Sequence, residues 1–361
     1  MLAFCKTSDS RNADIMRKEV WHVPSEDNPA VSFVVPVHNV EPYLVQCIRS
    51  ILAQTLKDIE VVCVNDGSTD RSLEVLNEYA LSDPRIRVFS KDNGGVSSAR
   101  NMGIEQVRGR YVSFIDADDW VDERYAETLF NLAEENNADI VVFSGSSVPQ
   151  VSWIEQVLVS STAVLHEHGA DVLLHKTGCI PLMCNKLYKR TIITDHHVRF
   201  DEEIALGEDL LFQFATFSHA QTVVFSEAKL YFYRTDREGS AVASAADIPT
   251  VLRKHIVLLH KAVEIWKKNN CLNGRELELL EATNFLFSDI YLLDMATFNQ
   301  IAQELFEQVE QDFGKDALRS TFKPKAFTFY ATIQRAVQKK DSVFTAWYLK
   351  LQVFRKTRQR K

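Results

Sequence analysis

The sequence has no run of about 18 uncharged apolar residues, so no helix is expected to span a membrane. Its most apolar long stretch, 285–298, is interrupted by Asp289 and Asp294. The first 30 residues are polar and charged and lack the apolar core of a secretory signal. Six cysteines are scattered along the chain. Cys179 and Cys184 have no matching second pair, so a zinc site is not expected, and a reducing, cytoplasmic setting is the default. No Gly-Lys-Ser/Thr follows a glycine loop, which excludes a P-loop, and the Gly-x-Gly-x-x-Gly dinucleotide fingerprint is missing. Internal repeats and low-complexity tracts are also lacking.

What is present is a chain of 361 residues, 46% hydrophobic, enough for one large or two ordinary domains with a sizeable core. The net charge of −8 hides an asymmetry. Residues 315–361 hold 13 Lys+Arg and 2 Asp+Glu, so the remainder carries −19. A basic end on an acidic body points to an anionic surface as partner for that end. Nucleic acid is disfavoured, because the body is acidic and no recognition motif occurs.

Residues 31–37 read as a buried strand, 40–54 as a helix with Leu44, Cys47, Ile48, Ile51 and Leu52 on one face, and 59–64 as a second strand. Asp66-Gly67-Ser68-Thr69-Asp70 reads as a turn that caps a helix at 71–81. Strands at 86–89, 111–115 and 140–143 alternate with a short helix holding Ala99 and Ile104 and with a helix at 123–136. Continuous apolar strands alternating with helices predict an α/β sheet covered on both faces, with ligands at the strands' carboxyl ends. Residues 151–245 mix short segments and loops. Beyond them helices are predicted at 251–269, 274–298 and 301–313, with a basic helix near the end.

Asp116-Ala117-Asp118-Asp119 places three carboxylates at the tip of the strand Tyr111–Ile115. Hard divalent cations such as Mg²⁺ or Mn²⁺ take such oxygens and bridge to phosphates. Asp118 or Asp119 can equally serve as a helix cap. Asp66 follows a second strand, where it reads either as an Asx turn or as an acceptor for a nucleobase N–H or ribose hydroxyl. Asn93-Gly94-Gly95 opens a helix whose N-terminus attracts anions, and Arg100 offers a planar fork to phosphate or ribose oxygens. Glu208-Asp209 precedes another helix and reads, by itself, as two solvated acids.

With these residues in order, the chain resembles a family 2 inverting glycosyltransferase of the bacterial surface-polysaccharide type. The likeness rests on Val31–Asn39, Asn65–Asp70, Asn93–Gly103 and Phe114–Asp119, and extends more loosely through Cys184–Arg190, Gly207–Phe212 and Tyr231–Arg234. It implies the GT-A fold, a Rossmann-like mixed central sheet flanked by helices, followed here by a helical C-terminal region. It divides the chain into an extension (1–30), a nucleotide-sugar-binding half (31–150), an acceptor-binding and catalytic half (151–245) and the helical region (246–361).

The resemblance further implies that Pro36, Val37, Asn39 and Glu41 line the base pocket, and that Asp66 binds the uracil of a UDP-sugar. Ser68, Asn93, Gly94, Arg100 and Ala117 would lie along the nucleotide sugar, with Asp116 at the ribose. Asp118 would hold Mn²⁺ or Mg²⁺ across the diphosphate. Arg234, Arg237 and Ser240 would close over that diphosphate. Asp209, with Glu208, would be the catalytic pair, Asp209 acting as general base. His38 stands where the family more often has Tyr or Phe. No Arg-Trp dipeptide occurs, so the Gln-x-x-Arg-Trp motif of processive synthases is missing. A nucleotidyltransferase would instead carry a Gly-rich, basic signature after the first strand, where this chain has Pro36–Asn39. A non-catalytic nucleotide-sugar-binding protein would lack Asp118 or Asp209.

The expected acceptor is a glycan or lipid-linked oligosaccharide at the inner face of the cell membrane. Phe344, Trp347, Tyr348, Leu351 and Phe354 recur at helical spacing beside Lys350, Arg355 and Lys356. They read as a docked terminal helix or as a peripheral membrane anchor.

Overall fold

The structure, a computed structural model, describes residues 28–176, 178–237 and 247–314. Ser240 and the basic segment 315–361 therefore lie outside the described residues, as does nearly all of the N-terminal extension.

The first half alternates strands and helices: β1 (Val31–Val37), α1 (Glu41–Leu52), β2 (Ile59–Asp66), α2 (Ser72–Ser82), β3 (Ile86–Lys91), α3 (Val96–Gln106), β4 (Tyr111–Phe114), β5 (Trp120–Val121), α4 (Tyr125–Asn136) and β6 (Ile140–Val148). Then come α5 (Ser152–Val157), β7 (Ala163–Leu165), α6 (Gly169–His175), β8 (Lys186–Lys189), α7 (Arg190–Thr194), α8 (Glu208–Phe217) and β9 (Val223–Arg234). The last described part is helical: α9 (Ile248–Lys268), α10 (Glu276–Ala282) and α11 (Met295–Phe313), with two short 3₁₀ turns between α10 and α11.

One mixed sheet runs through both halves in the order β3-β2-β1-β4-β8-β6-β9-β5, with β7 also on β9. β1, β2, β3 and β4 are mutually parallel, whereas β8 runs antiparallel to both β4 and β6. The period-2 alternation of strand side chains divides the core. Val34, Val62 and Phe114 face one layer with α3, α8 and α9, while Phe33, Val35 and Val61 face another with α1 and α4. This is the expected mixed sheet flanked by helices, with a helical C-terminal region. The chain leaves β1 toward β2 on one side, and β4 returns on the other. That reversal opens a crevice at the strands' carboxyl ends.

The helix predicted over 274–298 is not continuous. α10 ends at Ala282, and Thr283 turns its hydroxyl back onto the Leu279 carbonyl at 2.8 Å. A new helix starts at Met295, because the Asp294 carboxylate accepts the N–H groups of Ala296 and Thr297 at 2.9 and 3.0 Å. An apolar periodicity spanned a side-chain cap that it cannot register. Among the described residues, no helix is long and apolar enough to cross a membrane.

Candidate active site

Arg100 organises the site. Gly95, with φ +87°, admits the turn into α3. Gly103 lets that helix lie on β1, because a Cβ there would collide with Val34. The packing turns Arg100 inward until it is only 4% exposed, with its guanidinium over the Phe200 ring. Its Nη1 donates to Glu208 Oε1 at 3.0 Å and to Asp209 Oδ1 at 2.9 Å, and its Nη2 donates to Asp116 Oδ1 at 2.9 Å. Residues more than a hundred positions apart thus meet at one cation. Burial works against the Arg100 charge, but Asp209, Asp116 and Glu208 more than offset it, and the group stays fully protonated. Its Nε is buried without a hydrogen-bond partner among the described residues.

Asp209 sits in the first turn of α8 after Gly207, which has φ +95° and packs against Leu258 of α9. Burial pushes the Asp209 carboxyl up to about 7. Arg100 opposes that shift, Glu208 and Asp116 add to it, and the Met183 backbone opposes it. Asp119 is clamped by the Tyr231 hydroxyl at 2.5 Å and the Arg234 backbone N–H at 2.7 Å. Burial, then Asp118 and Asp116, raise its carboxyl well above the ordinary range. Asp118 is raised as well, by burial and Asp116, against the pull of Arg237, whose Nη1 donates to its Oδ2 at 2.8 Å. A raised affinity for protons is what crowded, desolvated carboxylates show without enough cations.

A cavity of about 670 Å³ joins these groups to the tips of β1 and β2. Pro36, Val37, Asp66, Asn93, Arg100, Asp116, Ala117, Asp118, Glu208, Asp209 and Arg237 all line it, as do His38 and Asp119. Both Asp66 oxygens are already engaged: Oδ1 accepts Gly94 N–H at 2.9 Å and Lys91 Nζ at 2.8 Å, and Oδ2 accepts Gly95 N–H at 2.8 Å. Its carboxylate thereby shapes the 93–95 loop. His38 Nδ1 lies 2.7 Å from the Asp66 carbonyl and 3.1 Å from Asn93 Nδ2.

Asn39, Glu41, Ser68, Gly94 and Arg234 are not in the cavity wall. Asn39, with φ 49°, accepts the Thr69 N–H at 2.8 Å, while its own N–H reaches Ser68 Oγ at 3.2 Å. Glu41 accepts the Arg71 N–H at 3.2 Å. These three tie the loops after β1 and β2 together. Arg234 is drawn away from the cavity by two rings, Tyr43 and Trp120, each 4.9 Å from its guanidinium. From there its Nε donates to the Asp118 carbonyl at 2.8 Å and its Nη2 to Gln46 at 2.6 Å.

Sequence reasoning gave no role to several supporting residues. Lys186 is fully buried, and burial lowers its ammonium to about 8. It donates to the Leu182 carbonyl at 2.5 Å and to Asn185 Oδ1 at 2.7 Å, so it braces the loop that brings Leu182 to the cavity and Met183 to Asp209. Tyr231 and Lys91 were also missed. A Lys in an apolar strand context (Lys186-Leu187-Tyr188) was the available signal for the first. His255 of α9 lines the cavity too, and its Nδ1 meets the Leu286 carbonyl at 2.6 Å.

The family described as "Glycosyl transferase family 2" matches residues 32–195. GlyG, a glycosyltransferase of Streptococcus pneumoniae, is 32% identical over 235 residues, which cover 60% of this chain and 74% of GlyG. The chain belongs to glycosyl transferase family 2. EpsJ of Bacillus subtilis, an uncharacterized glycosyltransferase, is 40% identical over 57% of the chain and 61% of its own length. The chain thus spans about three fifths of that relative. In fold, this family 2 chain resembles S. aureus TarS 1–349 in complex with UDP, at TM-score 0.70 and 18% identity over 92% of each chain.

The donor set fits a divalent cation. Asp116, Asp118, Asp119, Glu208 and Asp209 line the cavity against the guanidinium groups of Arg100 and Arg237. That leaves hard oxygen donors in excess of positive charge. These carboxylates do not form a close three-ligand cluster among the described residues. Asp118 would therefore share the ion with oxygens of a bound diphosphate, as Mg²⁺ and Mn²⁺ sites commonly do.

Proposed function

We propose that this chain is a metal-dependent, inverting glycosyltransferase that moves a single sugar from a UDP-sugar to a hydroxyl of a glycan or lipid-linked oligosaccharide in surface polysaccharide synthesis. The observation that carries the reading is the convergence of Asp116, Glu208 and Asp209 on the buried Arg100, within a cavity that Asp118 also lines. The UDP and UDP-GlcNAc complexes of TarS support a UDP-linked donor, and the name of TarS, a poly(ribitol-phosphate) beta-N-acetylglucosaminyltransferase 27% identical over 59% of this chain and 37% of its own length, supports transfer to a surface polymer.

In this reading Asp209 accepts the proton of the acceptor hydroxyl as that oxygen attacks the anomeric carbon in line with the departing UDP. A carboxyl near 7 is half ionised at neutral pH, and a base so placed contributes about 10²–10⁴-fold. Arg100 keeps Asp209 and Asp116 oriented. The metal, when bound at Asp118, offsets the charge that develops on the diphosphate. Arg237, already paired with Asp118, would reach the same group.

The apolar part of the cavity lining suits an acceptor joined to an apolar group. Leu206, Leu258, Phe285 and Leu286 line it, with Leu258 against Gly207 and His255 beside Leu286. A free oligosaccharide would leave most of its hydroxyls unpaired there.

The test is UDP release across a panel of UDP-sugars, with and without Mn²⁺. Metal-dependent release from at least one donor is expected, with Asp118→Ala abolishing the metal response. Asp209→Asn should bind UDP yet lose transfer by at least about 100-fold. Full metal-dependent activity in Asp118→Ala would remove the metal assignment, and equal transfer by Asp209→Asn would remove the base.

A further inference from the structure

A second constellation, in the helical region, takes no part in the chemistry above. His260 and Glu264 stand one turn apart on α9, so both project from the same face. Asp312, in the last turn of α11, comes up against that face. One ligand atom from each of the three lies within 4.8 Å of the others.

The buried member shows what the site lacks. The Asp312 side chain is 1% exposed, and its Oδ1 lies 2.7 Å from His260 Nδ1 and accepts Gln308 Nε2 at 3.1 Å. Its other oxygen, Oδ2, is buried and has no hydrogen-bond partner among the described residues. No Lys or Arg pairs with this carboxylate among the described residues. A desolvated, half-bare carboxylate next to an imidazole is costly unless a cation completes it. Glu264 is the movable member. It is exposed and paired with Lys267 at 3.0 Å, a solvent-exposed contact that exchanges readily.

We infer that His260, Glu264 and Asp312 form a binding site for a divalent transition-metal ion of the Zn²⁺ type, which ties α11 to α9. One imidazole and two carboxylates suit Zn²⁺, Co²⁺ or Ni²⁺ better than Mg²⁺, which takes oxygen ligands. Ligands around tetrahedral zinc stand roughly 3.3 Å apart, so an ion would separate the hydrogen-bonded His260–Asp312 pair from 2.7 Å while a rotamer change brings Glu264 in. The consequence is structural. α9 supplies Leu258, which packs on Gly207 just before the catalytic pair, and His255 in the cavity wall. A metal brace between α9 and α11 would steady that wall from behind. It is separate from the Asp118 site and holds whether or not the transferase reading does.

The experiment is thermal unfolding of the full chain with ZnCl₂ or EDTA, for wild type, Asp118→Ala, His260→Ala and Glu264→Gln. Wild type and Asp118→Ala should each gain about 5 °C when free Zn²⁺ is roughly 100 times its dissociation constant. His260→Ala should lose that gain, and Glu264→Gln, a change at an exposed side chain, should reduce it while leaving the melt in EDTA unchanged. Cobalt substitution should give a four-coordinate visible spectrum in Asp118→Ala that disappears in Glu264→Gln. No Zn²⁺ shift in wild type, or equal shifts in wild type and Glu264→Gln, would overturn the inference.

Discussion

Asp209 is held between two opposing influences, and its chemistry depends on which one dominates. Burial disfavours its charge, Arg100 favours it, and the balance leaves the carboxyl at about 7. The rate should therefore rise with pH along a limb centred near 7 in kcat/KM, which reports the free enzyme. The same shift sets a stability dependence. An aspartate raised above its ordinary value binds a proton more tightly in the folded chain than in the unfolded one. Its stabilising contribution is complete below about pH 4 and is lost as pH rises through about 7. Asp209→Asn carries no such penalty. It should melt close to wild type at pH 4 and on the order of a few °C higher at pH 8. Melting curves at the two pH values check this, and an equal offset at both would contradict a buried, proton-binding Asp209. Residue identities at the site were legible because each sat at a strand tip or helix start. Their partners were less so. That Asp66 would spend both oxygens on the Gly94 and Gly95 amides and Lys91 depends on how two loops meet, which no local spacing encodes.

Between residue and fold, the end of β9 acts on the aspartate turn as a unit. β5 pairs Trp120 with Phe232 and Val121 with Tyr231, immediately after Asp119. Tyr231 and the Arg234 backbone then hold both Asp119 oxygens, and the Arg234 side chain holds the Asp118 carbonyl. The resemblance implied a diphosphate contact for Arg234, but the aromatic pair Tyr43 and Trp120 keeps it behind the turn. In the proposed mechanism it would act through Asp118, whose carbonyl its Nε holds. Removing such a support typically costs about 10–100-fold in metal affinity or activity. Arg234→Met should raise the Mn²⁺ concentration for half-maximal activity by that factor and leave the donor KM at saturating Mn²⁺ unchanged. A raised donor KM with an unchanged metal requirement would instead place Arg234 on the diphosphate. The alternating βα half was readable from apolar runs and turn residues, since each element there is set by local pattern. The 274–298 segment reads as one helix because apolar periodicity does not register the side-chain cap by which Asp294 starts a new helix at Met295.

At the scale of the molecule, charge is divided along the chain. The site needs its excess carboxylates, and the acidic body would be repelled by an anionic membrane. Residues 315–361, with 13 Lys+Arg to 2 Asp+Glu, have the opposite sign. A lipid-linked acceptor would require the enzyme to work at such a surface, and the apolar lining residues Leu206, Leu258, Phe285 and Leu286 would suit that acceptor. On a helix, the aromatic and leucine positions at 344, 347, 348, 351 and 354 would add apolar anchors beside the basic ones. Each Lys or Arg near an anionic surface contributes about 1 kcal/mol, so the six beyond Lys340 outweigh the single acid, Asp341. A chain ending at Lys340 should keep its UDP affinity, because every cavity residue precedes that point. It should no longer sediment with phosphatidylserine vesicles, whereas the full chain should sediment at low salt and be released as ionic strength rises. Sedimentation unchanged by the truncation would place the anchoring charge elsewhere. Loss of UDP binding would show that the segment braces the catalytic body.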